Sequence, residues 1–176
     1  MLVKIGASKP ADYSDPVGVL KGCHRKIEDH LSILETLTVA DKPEPLNPER
    51  RGALERSLNY FRNAAPKHSA DEDESLFPRL MQAGGMKTLI LRLEKQHTRL
   101  HDLQATIEQL GMLWSARGIL SPSDWNKLKA DVEELSSLYS EHIQIEEHDL
   151  FPKVDAAITA GQLAAIGKEM AARRKD

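Results

Sequence analysis

The sequence predicts an all-α protein: an up-down-up-down four-helix bundle followed by a short extra helix at the C-terminus. Apolar residues recur at the spacing of an amphipathic helix through most of the 176 residues. Aromatic residues make up only 5% of the chain, and runs that alternate apolar and polar residues are few, so strands are not indicated. The connections are too short for crossovers, and neighbouring helices should therefore be antiparallel.

The first half of the chain predicts two helices after an irregular lead-in over residues 1 to about 15. The first helix, over residues 16–40, is ended by a proline-rich segment. The second, over residues 48–81, starts where Asn47 can cap a helix that has proline in its first turn. Pro66 lies inside this second helix, and either kinks it or breaks it into two segments.

The second half predicts two further long helices and a short one. The third helix covers residues 87–117 and is ended by Gly118. The fourth covers residues 122–152 and starts at Ser121, which again precedes a proline. A last segment over residues 160–172 has apolar residues at helical spacing, and it is expected to pack across the bundle as a cover.

Length and composition indicate one domain over residues 1–176, with the bundle core at about 16–157. The net charge is −3 and the body has no basic stripe, so nucleic acid is not an expected partner. The basic tail at 173–175 is expected to be a solvated terminus. No apolar run approaches the length of a membrane span. A single cysteine, Cys23, excludes an internal disulfide framework and favours the cytosol.

Two stretches of the chain repeat one pattern, in which a His is followed four residues on by a Glu, nine on by a Phe and ten on by a Pro. The repeated residues are His68, Glu72, Phe77 and Pro78, then His142, Glu146, Phe151 and Pro152. Residues four apart lie on one face of a helix, so the imidazole and the carboxylate can face one point. Such pairs on facing helices build di-metal sites in bundles. Chance surface pairs are the competing interpretation, which the repeated Phe-Pro register disfavours.

The predicted metal ligands come from all four long helices. They are His24, His68, Glu72, His97, His101, His142 and Glu146. His24 and His97 are related by nearly the same offset as the two motifs, and His101 lies four residues after His97. One metal would then be held by three histidines and the other by two, with both glutamates bridging. The alternative for His101 is a surface position beside Asp102.

The metal with only two histidines would be short of one protein ligand, and a small molecule could bind there. Imidazole and carboxylate ligands suit iron, manganese or zinc. In the acidic run 71–74, only Glu72 has ligand geometry, and the rest is expected to be partly a solvated face. Phe77 and Phe151 are expected to cap the bundle interior beside the site.

The residues around His24, the two His-x-x-x-Glu segments and the start of the third helix together resemble the hemerythrin-like HHE cation-binding family, over about residues 16–157. The resemblance implies a di-iron centre with an oxo or hydroxo bridge in a four-helix bundle. In oxygen-carrying members the last bridging carboxylate follows its His by five residues, which here would be Glu147. Glu146 is preferred because it matches Glu72 in the repeat and stays on the face of His142.

The resemblance also implies a function: binding or sensing of dioxygen, nitric oxide or peroxide at the metal. The alternatives are a di-iron oxidoreductase of the peroxidase or catalase type, an iron storage or sensing protein, and a structural bundle without metal. No catalytic residue, organic cofactor or protein partner is assigned from the sequence.

Overall fold

The computed structural model describes residues 11–175, and all regular structure in that part of the chain is helical, which confirms the predicted class. The α-helices are α1 (Pro16–Thr38), α2 (Pro48–Asn63), α3 (Ala65–Asp71), α4 (Phe77–Ala83), α5 (Lys87–Arg117), α6 (Pro122–Ile145), α7 (Val154–Ala157) and α8 (Ala160–Arg173). Two π-turns, Glu72–Leu76 and Glu146–Leu150, and a 3-10 turn at Phe151–Lys153 connect some of them. Most of the predicted lead-in, residues 1–10, lies outside the described residues.

Side-chain caps set where the long helices start. Asp15, Asn47, Ser121 and Thr159 each accept a hydrogen bond from the backbone N–H three residues later, at the starts of α1, α2, α6 and α8. The end of α5 is set by Gly118, whose φ of 76° lies in the left-handed region that glycine adopts without a steric penalty. The starts at residues 48 and 122 and the end at residue 117 therefore agree with the sequence prediction.

The second and fourth predicted helices are each divided. In the second, α2 and α3 are separated at Ala64, and Pro66 in the next turn has no N–H to donate to the preceding helix. The equivalent helix of the second half, α6, runs unbroken. A π-turn follows α3 in the first half and α6 in the second half. These turns are closed by the backbone N–H groups of Phe77 and Phe151, each bonded to the carbonyl five residues earlier.

The four long helical runs pack in a ring, in which α1 and α5 each contact both α2 and α6. Buried apolar side chains fill the interior in two clusters. One contains Trp114 and Trp125, whose rings meet edge to face with centroids 5.1 Å apart. The other contains Phe77 and Phe151. The up-down-up-down order of the runs remains a prediction. Between residues 11 and 175, no helix is long and apolar enough to cross a membrane.

The C-terminal helix α8 packs against α1, α3 and the first π-turn, as expected for a cover. Two of the three residues in the basic tail, Arg173 and Arg174, correct the expectation that this tail is solvated, whereas Lys175 is exposed. Arg173 Nη1 lies 3.1 Å from Asp71 Oδ1, and Arg174 Nη2 lies 2.5 Å from Asp71 Oδ2. Asp71 is fully buried. The start of the acidic run therefore faces α8 rather than water, because two guanidinium groups offset the cost of burying the carboxylate.

Candidate metal centre

Six of the seven predicted ligands lie together inside the ring of helices. They are His24, His68, Glu72, His97, His142 and Glu146, and none is more than 2% exposed. Helices α1 and α5 contribute one histidine each, and α3 and α6 contribute the histidine of each pair. Both glutamates begin a π-turn. The level of the site along α1 lies between the two apolar clusters, because His24 is flanked by Leu20 of one cluster and Ile27 of the other.

The six residues form two groups that share both glutamates. One group adds His24 and His68, and the other adds His97 and His142. Within each group, one possible ligand atom of every residue lies within 4.8 Å of the others. A carboxylate has two oxygens, so each glutamate can contact both groups. The arrangement can therefore hold two cations, each facing two imidazoles and two carboxylates.

The Nε2 atoms of the four histidines face the carboxylate oxygens. The closest distances are 3.1 Å for His24–Glu146, 3.2 Å for His142–Glu146, 3.3 Å for His97–Glu72 and 3.6 Å for His68–Glu72. Each glutamate is thus approached by the histidine of its own motif and by the single histidine of the other half of the chain. The site is complete only when both halves of the chain are folded together.

The π-turns occur at the same place in both halves. In each, the carbonyl of the shared glutamate accepts the backbone N–H of the phenylalanine five residues later. A proline follows each phenylalanine, Pro78 in one half and Pro152 in the other, and it has no N–H with which to continue a regular ladder. Single π-turns inside α-helices are frequent at functional sites. Here they coincide with the two residues that can bridge cations.

Three of the four imidazoles are also held from outside the site, through Nδ1. The distances are 2.8 Å for His24 Nδ1–Glu147 Oε1, 2.8 Å for His97 Nδ1–Asp73 Oδ1 and 3.0 Å for His142 Nδ1–Gln96 Oε1. A carboxylate or amide oxygen can only accept, so Nδ1 donates, and in the neutral imidazole the lone pair of Nε2 is then directed into the site. Outer partners of this kind fix the tautomer and ring orientation of metal-binding histidines.

Two phenylalanine rings shield the site from one side. Phe77 stacks on His97 with ring centroids 5.8 Å apart, and Phe151 stacks on His24 at 5.7 Å, both with nearly parallel planes. Each phenylalanine thus covers a histidine of the opposite half. Their predicted position inside the bundle beside the site is confirmed, and their burial keeps bulk water away from the two imidazoles.

The buried charges move the pKa values of the cluster in different directions. Burial and the neighbouring Glu146 raise the pKa of Glu72 to about 8. Burial alone would also raise the pKa of Glu146, but the charge of the adjacent His142 holds that pKa below its usual range. For His97, burial would lower the pKa, but the hydrogen bond to Asp73 and the negative charge of the adjacent Glu72 raise it to about 10. Two buried carboxylates this close are both ionised at neutral pH only when positive charge lies between them.

Several buried polar atoms at the site have no hydrogen-bond partner among residues 11–175. They are Nε2 of His24, both ring nitrogens of His68, and the four carboxylate oxygens of Glu72 and Glu146. The contacts of 3.1–3.6 Å around these oxygens thus lack hydrogen-bond geometry. Buried polar groups are almost always paired, and an unpaired buried carboxylate is costly. Cations between these atoms would satisfy them, so the residues present fit a two-metal centre.

The structure does not bring His101 into either group. Its side chain is exposed, and its ring centroid lies 6.5 Å from that of His97. A residue four positions on is rotated about 40° round a helix. On α5 this rotation takes position 101 away from the buried stripe, which continues instead through Leu100 and Gln104. The expected three-to-two division of histidines is therefore not what the fold presents, because each group contains two.

The choice between Glu146 and Glu147 is reflected in where the two side chains lie. Glu146 is fully buried among the histidines, whereas Glu147 is a quarter exposed and bonds to the outer nitrogen of His24. Sequence reasoning missed this outer role, and it missed Asp73 and Gln96 in the same role. One signal was present: an acidic residue, Asp73 or Glu147, directly follows the glutamate in both copies of the motif.

Comparison with known proteins also points to cation binding. The model of the hemerythrin HHE cation binding domain matches residues 15–154, which include all six grouped residues. A protein of Haemophilus influenzae (strain ATCC 51907 / DSM 11121 / KW20 / Rd) is 31% identical over 170 residues, which cover 94% of this chain and 93% of that protein. That relative is described only as an uncharacterized protein.

Proposed function

The chain belongs to the hemerythrin HHE cation-binding domain family, and from this premise we propose that it is a non-haem di-iron protein that binds or senses a small ligand such as dioxygen, nitric oxide or peroxide. The main support is the pair of buried groups, each with two imidazoles, that share two carboxylates. Nitrogen and oxygen donors of this kind suit iron, and they also suit manganese or zinc.

The burial of the site limits the class of ligand. The six residues are at most 2% exposed, and two phenylalanine rings lie on the outer histidines. A bulky organic substrate would have to displace this packing, whereas a molecule of two or three atoms would not. Each group offers four protein ligands, fewer than an octahedral ion takes. Bound iron would supply an open, redox-active position for such a molecule.

The chain's own residues orient and enclose that position. Glu147, Asp73 and Gln96 direct three imidazoles inward through their outer nitrogens. Glu72 and Glu146 supply negative charge that offsets the charge of the two cations. Phe77 and Phe151 exclude water from the outer faces of two histidines. The proposed role is thus binding with a protected site, and the cytosolic location expected from the single cysteine stays part of the proposal.

Metal analysis of two matched variants tests the proposal. The purified chain, loaded anaerobically with iron(II), is expected to hold about two irons. His142→Ala should lose at least one, because it removes a buried ligand, whereas His101→Ala should keep both, because that side chain is exposed. Iron content that His142→Ala leaves unchanged would contradict the ligand assignment. Because ligand binding stabilises the native state by mass action, the thermal midpoint should fall with iron content.

Optical spectra of the same iron-loaded protein distinguish the possible functions. Absorption that changes reversibly with oxygen or nitric oxide supports the binding or sensing role. Continuous loss of added peroxide with turnover supports the alternative of a peroxidase or catalase-type oxidoreductase. Iron-dependent stability without reactivity toward any of these molecules supports iron storage or sensing. A chain that takes up no metal would leave only a structural bundle.

A further inference from the structure

The four imidazoles of the site are not held equally from outside. His97 and His142 both donate through Nδ1 to oxygen acceptors, Asp73 and Gln96. In the group of His24 and His68, Nδ1 of His68 has no hydrogen-bond partner among residues 11–175, although the side chain is 99% buried. The two cation positions are therefore built differently behind the ligands, although the ligands themselves match.

The internal repeat explains why His68 lacks a partner. Gln96 directly precedes His97, and the equivalent residue directly before His24 is Cys23. A thiol is shorter than a glutamine side chain and a weak hydrogen-bonding group. The thiol of Cys23 lies 3.9 Å from Nη2 of Arg174 on the C-terminal segment. The first half of the chain thus has no amide where the second half has one.

His24, the second histidine on the same side, is held less independently than its counterpart. Its acceptor Glu147 Oε1 also accepts from Arg25 Nη2 at 2.6 Å, so one oxygen serves two donors. A guanidinium on this oxygen draws away negative charge that would otherwise make the imidazole a better ligand. Both histidines of this position therefore have weaker outer support than His97 and His142.

We propose that the two metal positions have unequal affinities: the position of His97 and His142 binds its ion more tightly, and the position of His24 and His68 fills last and empties first. This inference rests on the proposed two-metal function. Loss of an outer partner typically lowers metal affinity by about 10–100-fold. The expected gap between the two binding steps is of that order. Gln96 is a positioning residue in this scheme, since it acts through His142.

The unequal positions give the protein a graded response to metal supply. At low free metal only the tighter position is filled, and the bridged pair forms only when the second ion binds. The looser position is also the one at which an incoming small molecule can rearrange the ligands with the least resistance, because the His68 ring is not fixed from behind. The partly loaded chain is thus a distinct state rather than a mixture of empty and full sites.

A graded competition experiment measures the gap directly. The full chain is loaded with iron(II) without oxygen, equilibrated with increasing concentrations of a colorimetric iron(II) chelator, and analysed for iron per chain. Loss in two steps of one iron each, at chelator concentrations about tenfold or more apart, is expected. Loss of both irons in one step, with no stable one-iron form, would overturn this inference and leave the proposed di-iron function standing. A chain that takes up no iron would overturn the proposed function itself.

Two matched variants assign the steps to positions. Gln96→Leu removes the partner of His142 and should weaken the tighter step by about 10–100-fold, so that the two steps merge. Gln104→Leu is the control, because Gln104 lies on the same helix, is equally buried and also loses one buried hydrogen bond, to the hydroxyl of Tyr139. It should leave both steps in place. If Gln96→Leu shifts only the looser step, or if Gln104→Leu shifts the tighter one as much, the assignment is wrong.

Discussion

The two halves of the chain, residues 16–83 and 87–157, are alike inside the ring of helices and different outside it. Inside, each half supplies one single histidine, one His-x-x-x-Glu pair and a π-turn at the glutamate. Outside, several residues at equivalent positions diverge. The diverging pairs, 73 or 74 positions apart, are Cys23 and Gln96, Pro66 and Ser140, and Asp71 and Ile145.

The matching parts work across the halves rather than within them. Phe77 and Asp73 of the first half contact His97 of the second. Phe151 and Glu147 of the second half contact His24 of the first in the same way. A pseudo-two-fold relation therefore governs the interior, where the ligands must converge. The exterior has no such requirement, and there each half has acquired its own packing partners.

The largest expected effect comes from making the halves alike at Pro66 and Ser140. The first half tolerates proline because the helix is already interrupted at Ala64, whereas α6 is continuous through the equivalent position. Ser140→Pro should destabilise the protein by about 3 kcal/mol or more, because it removes one helix hydrogen bond and the ring clashes with a carbonyl of the preceding turn. Urea unfolding measures the change.

Ser140→Ala is the matched control, and it should stay within about 0.5 kcal/mol of the parent because the side chain is exposed. If Ser140→Pro lowers the free energy of unfolding no more than Ser140→Ala does, the continuity of α6 at this position does not contribute to stability, and the prediction is wrong.

The next effect concerns Asp71, whose counterpart Ile145 is a buried apolar residue. Asp71→Asn keeps the shape but removes the charge that Arg173 and Arg174 approach. Breaking a fully buried pair costs about 3–5 kcal/mol. The two guanidinium groups are about a fifth exposed, so a smaller loss of about 2–3 kcal/mol in the free energy of unfolding is expected. A protease should also cleave α8 faster in the variant than in the parent protein.

The control for Asp71 is Glu74→Gln, because Glu74 also contacts Arg173 but is largely exposed. Its effect on the urea midpoint should correspond to less than about 1 kcal/mol. Equal losses for the two variants would show that α8 is held by surface charge and not by the buried carboxylate.

The smallest effect concerns α8 itself, which follows only the second half. Thr159 and Gln162 form a reciprocal cap at its start, with the backbone N–H of each bonded to the side chain of the other. Thr159→Ala should cost about 1 kcal/mol. Thr36→Ala, at an exposed position inside α1, should cost less than about 0.5 kcal/mol. Amide exchange should quicken in α8 for the first variant, and unchanged exchange there would contradict the role of the cap.

The features that follow local rules were accessible from the sequence. Proline, glycine and capping residues gave the bounds of α5 and the starts of α2 and α6 to within a residue. The break near Pro66 was one of two predicted outcomes, and the structure has it as two segments. The π-turns were not predicted, because a single hydrogen bond to the fifth residue leaves no periodic pattern in the sequence. The domain assignment and the metal-binding roles remain predictions.

In the candidate site, too, some side-chain positions could be predicted from local spacing and others could not. The doubled motif and the offset between His24 and His97 selected the six residues that converge. The expectation for His101 failed on geometry: a rotation of about 40° decides between inside and outside, and only the packing of α5 against its neighbours fixes where the buried stripe runs. Asp71 was placed in a run expected to be partly solvated. Its burial could not be predicted, because its partners lie more than a hundred residues away, near the end of a helix whose docking site the sequence does not encode locally.

The sequence by itself determined the helical class, the family, and the residues that can face a common point. These depend on the spacing of residues within each helix and on the repeat that relates the two halves. Tertiary structure alone decided which histidine faces outward, which acidic residues support the imidazoles from behind, and which arginines neutralise a buried carboxylate. Those outcomes depend on contacts between segments far apart in the chain, and burial in a shared interior sets their energies.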